Sequence, residues 1–122
     1  MKHSAEYYIE HLEMEPHVEG GYFKECLLEK EERNLWSSIY FMLAKGEVSH
    51  FHRLKSDEVW YYHDGNALTI YMIDEAGKLT AAKLGLDLEK GEVPQVLVPK
   101  GMIFGSAMEE EGFSLVGCMV SP

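Results

Sequence analysis

Two histidines separated by one residue, His50 and His52, are the first feature of this 122-residue sequence that could do chemistry. In an extended segment over Val48–Leu54 the even positions Val48, His50, His52 and Leu54 share one face, so both imidazoles would point the same way between two aliphatic residues. Imidazoles so placed inside a barrel can jointly chelate a divalent metal, or act as a general-base pair. A carboxylate follows after one turn, Asp57 or Glu58. It would orient and charge-stabilise an imidazole. Trp60 and Tyr62 share the parity of Glu58 and would supply a flat apolar wall. Upstream, Glu19 is a candidate pocket acid, and Tyr22 and Lys24, on one strand face, could orient a hydroxyl, a carboxylate or a phosphate.

The remaining titratable groups read as structural. His3, His11 and His17 fall in or beside an N-terminal helix and are expected at the surface, and His63 sits at a hairpin mouth with no nameable partner. Cys26 and Cys118 stand in no CxxC or metal-type spacing and are expected to be buried, reduced thiols.

These residues need a scaffold, and the rhythm of the chain describes one. Ser4 can cap a helix with Glu6 in its first turn and Ala5, Tyr8, Ile9 and Leu12 on one face, stopped by Pro16. Beyond it the apolar pattern changes to period two. Strands are predicted over Tyr22–Glu29, Leu35–Ala44, Val48–Leu54, Glu58–His63, Ala67–Ile73, Leu79–Leu84, Gln95–Val98, Met102–Met108 and Phe113–Val120, with a charged loop over Glu29–Asn34. Asp64-Gly65-Asn66 carries a hairpin signal. One short helix followed by about eight or nine antiparallel strands is the pattern of an all-β jelly roll or barrel-like sandwich. The expected organisation is one domain, a helix over 1–15 and a β-barrel over 20–122.

Composition bounds the partners. With 11 Lys+Arg against 21 Asp+Glu the formal net charge is −10, a field that repels nucleic acid and anionic membranes. At 46% hydrophobic residues the chain is too apolar to stay disordered. The start lacks the apolar run of a signal peptide, and the mostly apolar stretch Leu35–Ala44 is about half of what spans a bilayer, so a cytoplasmic location is expected. Leu35–Leu43 is apolar on both faces, which predicts cover on both sides, by the helix or by a second copy in a homodimer. His50, His52, Arg53 and Lys55 cluster at the edge of the expected pocket and suggest a locally less acidic cavity.

The order of motifs carries a further implication. Gly46, His50, His52, Glu58 and Gly65 resemble the first cupin motif, and Gly91, Pro99-Lys100-Gly101 and position 104 echo the second. Glu15–Phe23, Ser49–Trp60, Val98–Gly101 and Ser114–Cys118 are similar, in order and over nearly the whole chain, to an uncharacterised cupin family, the fifth cupin group, a domain of unknown function. The resemblance implies a double-stranded β-helix of the sugar-epimerase-like type, usually dimeric, and no known reaction. The sequence departs from the general cupin pattern at Phe104, where a third imidazole would fall, and in the spacing of His52 to Glu58. The family often has a His directly after the Trp, where this chain has Tyr61.

The expected function is small-molecule binding in the barrel. It extends to a metal-free epimerase or isomerase acting on a carbohydrate-like or small polar substrate, with His50, His52 and Glu58 in the catalytic roles. The alternatives are a metal-dependent oxygenase or isomerase using His50, His52 and Glu58 as ligands, and a binding module without turnover. No cofactor is favoured, and a divalent metal belongs to the first alternative alone.

Overall fold

A computed structural model describes residues 2–30 and 34–122. It contains a helix, α1 (Ala5–His11), and ten strands: β1 (Glu15–Pro16), β2 (Tyr22–Lys30), β3 (Asn34–Ala44), β4 (Val48–Arg53), β5 (Asp57–Gly65), β6 (Leu68–Ile73), β7 (Leu79–Leu84), β8 (Gln95–Val98), β9 (Ile103–Ala107) and β10 (Phe113–Ser121). They form two antiparallel sheets, ordered β1-β2-β3-β10-β5-β8 and β4-β9-β6-β7. Successive strands repeatedly change sheet, which is what closes a jelly roll around an interior.

Strand alternation fills that interior. Phe41 and Leu43 of β3, Trp60 of β5 and Val116 and Cys118 of β10 meet Leu68, Ile70 and Phe104 from the smaller sheet in one buried cluster. Trp60 stands edge-on to Phe41 and to Phe104, with centroids at 5.9 and 6.4 Å, and so ties the sheets together through aromatic contacts. The opposite parity of β3 faces outward, where Met42 packs with Phe113 and Leu115 against Tyr8, Ile9 and Leu12 of the helical segment. The helix therefore covers one end of the outer face. It is capped by Ser4, whose Oγ accepts from the Tyr7 N–H at 3.1 Å, and it is tied down by the Tyr8 hydroxyl donating to Asp64 at 2.7 Å.

Four expectations are corrected. The helix ends at His11, short of Pro16, because Leu12 caps it and Glu13 takes a left-handed φ of 56°. Of the charged loop expected over 29–34, Glu29, Lys30 and Asn34 belong to strands, since β2 runs to Lys30 and β3 starts at Asn34; 31–33 lie outside the described residues. Asp64-Gly65-Asn66 makes no hairpin, because β5 and β6 belong to different sheets. Gly65 pairs with Ser114 instead, and the Asn66 N–H donates to the Phe113 carbonyl at 2.7 Å. Cys26 is exposed while Cys118 is buried, because Cys26 falls at a register shift between Glu25 and Leu27 that interrupts the alternation. Among the described residues, no helix is long and apolar enough to cross a membrane.

The segment 17–21 is wedged between β3 and β4, and glycine makes this approach feasible. A Cβ on Gly20 would lie 1.9 Å from the Val48 carbonyl oxygen, and its φ of 113° is already in the region that favours glycine. At Gly46 the φ of 83° is similar but nothing lies within 4 Å. Urea unfolding is therefore expected to show Gly20→Ala destabilised by about 3 kcal/mol or more. Gly46→Ala should lose only about 1 kcal/mol, the cost of left-handed backbone alone. Equal losses would mean that the wedge contributes nothing.

Candidate functional site

Strand β4 does not alternate regularly. Ser49 pairs with Ser106 and His52 with Phe104, so three steps along β4 face two along β9. The extra residue is a β-bulge. Ser49 and His52 consequently turn inward, whereas His50 and Phe51 are exposed. The expectation that His50 and His52 share a face is thus corrected, and Val48 goes outward with His50. Gly105 permits the bulge, since a Cβ there would approach the Ser49 carbonyl oxygen to 2.9 Å. His50 still serves through its backbone: its N–H donates to the Glu19 carbonyl at 3.0 Å, and its carbonyl accepts from His52 Nδ1 at 2.8 Å.

A cavity of about 50 Å³ opens between the sheets, lined by His17, Glu19, Ile39, Phe41, Ser49, His52, Glu58, Trp60 and Cys118. Its polar groups come from the wedge, β4 and Glu58 of β5, and its apolar side from the larger sheet. Of Asp57 and Glu58, Glu58 is the one that faces it. Asp57 is exposed and accepts from the Lys100 N–H at 2.8 Å. Glu58 is buried and accepts from Trp60 Nε1–H at 2.7 Å. Burial raises its pKa to about 7, although the Trp60 hydrogen bond and the nearby His52 act in the opposite direction. Burial also pushes the Cys118 thiol well up, with Glu58 adding to it. The His52 ring lies 4.3 Å from that of Phe104, so the position where a third imidazole would fall is a packing surface.

His17 is the residue that sequence reasoning missed. Expected at the surface, it lines the cavity, with its Nδ1 accepting from the Glu19 N–H at 2.9 Å and its ring edge-on to Phe23 at 4.8 Å. Burial lowers its pKa and His52 lowers it further, against an opposing effect of Glu19. The signal available was Gly20-Gly21, which folds the chain back after His17 instead of letting it run on from the helix.

Of the other candidates, Glu19 and Trp60 join the cavity. Tyr22 packs outward with the helix, because Phe23 is the inward residue of β2. Lys24 lies on that outer side too, 3.9 Å from Glu13. Tyr62 spends its hydroxyl on the Gly65 carbonyl at 2.6 Å. Arg53 and Lys55 are exposed and absent from the lining, so among the described residues the cavity carries two carboxyls and no cationic Lys or Arg, the reverse of the expected local charge. The ligand set His50, His52 and Glu58 is not assembled. Among the described residues, no three His, Cys, Asp or Glu stand together so as to hold a metal ion. The residues present do not fit the metal site of the general cupin pattern.

A closed roll of two antiparallel sheets whose polar groups turn inward on a cavity defines a cupin. The chain belongs to the family described as Cupin superfamily (DUF985), whose model matches residues 6–122. It is similar to a crystal structure of a protein from Shewanella oneidensis at 60% identity and a TM-score of 0.93, covering 98% of this chain and 78% of that one. It is also similar to a hypothetical protein from Leishmania major at 37% identity and a TM-score of 0.89, covering 98% and 82%. Oxalate decarboxylase from Bacillus subtilis shares the fold at 20% identity and a TM-score of 0.67, over 88% of this chain and 27% of that one. No curated protein matches.

The Glu58 environment has a measurable sign. A carboxyl raised from 4.5 to about 7 contributes stability that is fully present below 4.5 and is lost as the pH rises through 7. His52, Cys118 and Trp60 face it, and Glu58→Gln keeps an acceptor for Trp60 without titrating. The variant should therefore gain about 3 kcal/mol on the native protein between about pH 4 and pH 8, read from urea midpoints. A pH-independent difference would show that Glu58 ionises normally.

Proposed function

We propose that this cupin binds a small polar molecule between its sheets and moves a proton on it, as an isomerase or epimerase whose chemistry is carried by side chains. His52 is the base, and Glu58 is the acid group that takes and returns a proton between substrate oxygens. One observation supports the reading above all: a buried carboxyl and two imidazoles face one small cavity whose opposite walls, Ile39, Phe41 and Trp60, are apolar. Such walls exclude water and strengthen every polar interaction inside. A carboxyl held at about 7 is suited to both giving and taking protons near neutral pH. His52 Nδ1 is tied to the His50 carbonyl, which leaves Nε2 as its basic nitrogen. A cavity of about 50 Å³ holds a few heavy atoms, since one water needs roughly 10–15 Å³. A larger carbohydrate-like substrate would insert only its reacting end.

A thermal-shift screen of small sugars, hydroxy acids and hydroxycarbonyls, followed by product analysis, tests the reading. A ligand should emerge converted, with His52→Ala slowing conversion about 10²–10⁴-fold. A tight ligand recovered unchanged, with binding intact in His52→Ala, would make the chain a binding module. Elemental analysis of protein purified without a nickel column should find no stoichiometric transition metal; one that is lost in His52→Ala would sink the side-chain mechanism.

The proposal includes association as a homodimer through the outer face of the larger sheet. Leu97, Val59 and Met119 lie in register across β8, β5 and β10, and Leu97 is 53% exposed. An exposed Leu97 beside half-buried Val59 and Met119 gives this face an apolar row that favours a second copy. Light scattering at micromolar concentration should give twice 13.9 kDa, and a mass of 13.9 kDa would refute it.

A further inference from the structure

The hydrogen bonds of the two cavity imidazoles fix their tautomers. A backbone N–H only donates, so His17 Nδ1, 2.9 Å from the Glu19 nitrogen, holds a lone pair and the ring hydrogen sits on Nε2. A carbonyl only accepts, so His52 Nδ1, 2.8 Å from the His50 oxygen, holds the hydrogen and Nε2 the lone pair. The nitrogens left for a ligand are thus one donor and one acceptor. Protonating His17 on Nδ1 would break its bond to the Glu19 amide, which keeps the ring neutral. A neutral imidazole of this kind can polarise a carbonyl without surrendering a charge.

The walls select further. Among the described residues the lining contains Glu19 and Glu58 but neither Lys nor Arg. A carboxylate or phosphate ester would enter beside carboxyl groups with no fixed cation to meet it, which is costly in a partly desolvated cavity.

We propose that the cavity takes an uncharged α-hydroxycarbonyl compound of a few heavy atoms, with His17 Nε2–H donating to its carbonyl oxygen. This rests on the proton-transfer reading above and adds the substrate class and a catalytic residue. His52 Nε2 takes the hydrogen from the hydroxyl-bearing carbon. The C–H electron pair becomes the carbon–carbon double bond of an enediolate, and the carbonyl π pair moves onto the oxygen held by His17. Glu58 carries a proton from the neighbouring hydroxyl to that oxygen, and the His52 imidazolium returns its proton to the former carbonyl carbon. The product is the isomeric hydroxycarbonyl, with no atom or electron gained or lost.

The probes are dihydroxyacetone, uncharged, and glycolate, its charged counterpart. Long-range proton–nitrogen NMR of the free protein should find His17 as the Nε2–H tautomer and His52 as the Nδ1–H tautomer. Dihydroxyacetone should move the Nε2 resonances of both rings, take up carbon-bound deuterium in heavy water and yield glyceraldehyde; glycolate should leave both rings unmoved. His17→Phe should slow deuterium uptake about a hundredfold, with His17→Gln, which keeps an N–H donor, recovering part of it. Urea unfolding reports whether each variant is folded; if His17→Phe is not, His17→Gln and the tautomer measurement carry the test. Ring shifts with glycolate and none with dihydroxyacetone would overturn the substrate class, as would no response to either. Uptake lost in His52→Ala but unchanged in folded His17→Phe would remove His17 while leaving the proton-transfer reading standing. Binding of dihydroxyacetone without deuterium uptake would overturn both.

Discussion

Strand β4 carries one residue more than the stretch of β9 it pairs with, and the groups of the cavity are arranged around that surplus. The bulge parts His50 from His52 and sends only the second inward. It also frees the His50 backbone from regular pairing, so that its N–H holds the Glu19 carbonyl while its own carbonyl sets the His52 tautomer. The Glu19 N–H in turn fixes His17. A single irregularity therefore anchors the wedge, delivers one imidazole and orients the other, although the His50 side chain faces solvent. Such devices are common beside functional sites because a bulge re-aims side chains without disturbing the rest of a sheet.

The cavity is expensive for the fold in a way that a purely structural core would avoid. Position 58 lies in the inward parity of β5, between the sheets, where an apolar residue would bury at a gain. A carboxyl there must either stay protonated or be desolvated as an anion, and one hydrogen bond from Trp60 offsets only part of that. Because burial is what raises its pKa, the instability of Glu58 and the role proposed for it have the same origin. Trp60 serves both sides: its ring braces Phe41 and Phe104, and its N–H steadies the carboxyl.

What the sequence revealed and what it hid divide along a physical line. Period-two patterning placed most of β2 to β10 within a residue or two, because side-chain parity is a local property that burial enforces. The family resemblance gave the roll itself. The same parity argument failed at His50, since a bulge is set by the facing strand, by Gly105 in particular, and leaves no local mark on Val48–Leu54. Asp64-Gly65-Asn66 failed for a related reason. The preference of Gly65 for positive φ was legible, but which strand its neighbours bond to depends on β10, far along the chain. His17 was hidden because its neighbours in sequence belong to the helix side while its ring stands against Phe23 of β2 and Phe41 of β3.

The bulge also explains why the cupin metal pattern fails at two places at once. His50 is turned out by the extra residue, and the residue paired with His52 across the same irregular ladder is Phe104, which packs its ring on the His52 imidazole. Restoring an imidazole at position 104 would remove the surface on which His52 rests, yet would leave His50 outside. Straightening β4 would bring His50 in but reverse the facing of Ser49, whose Oγ accepts from the Ser106 N–H at 3.0 Å and lies 2.6 Å from the Ser106 hydroxyl. It would also break the His50–Glu19 contact that holds the wedge and with it His17. The two departures are therefore coupled. A chain with this bulge has exchanged a second inward imidazole on β4 for one delivered by the wedge, and the two imidazoles, held as opposite tautomers, leave one donor and one acceptor nitrogen free.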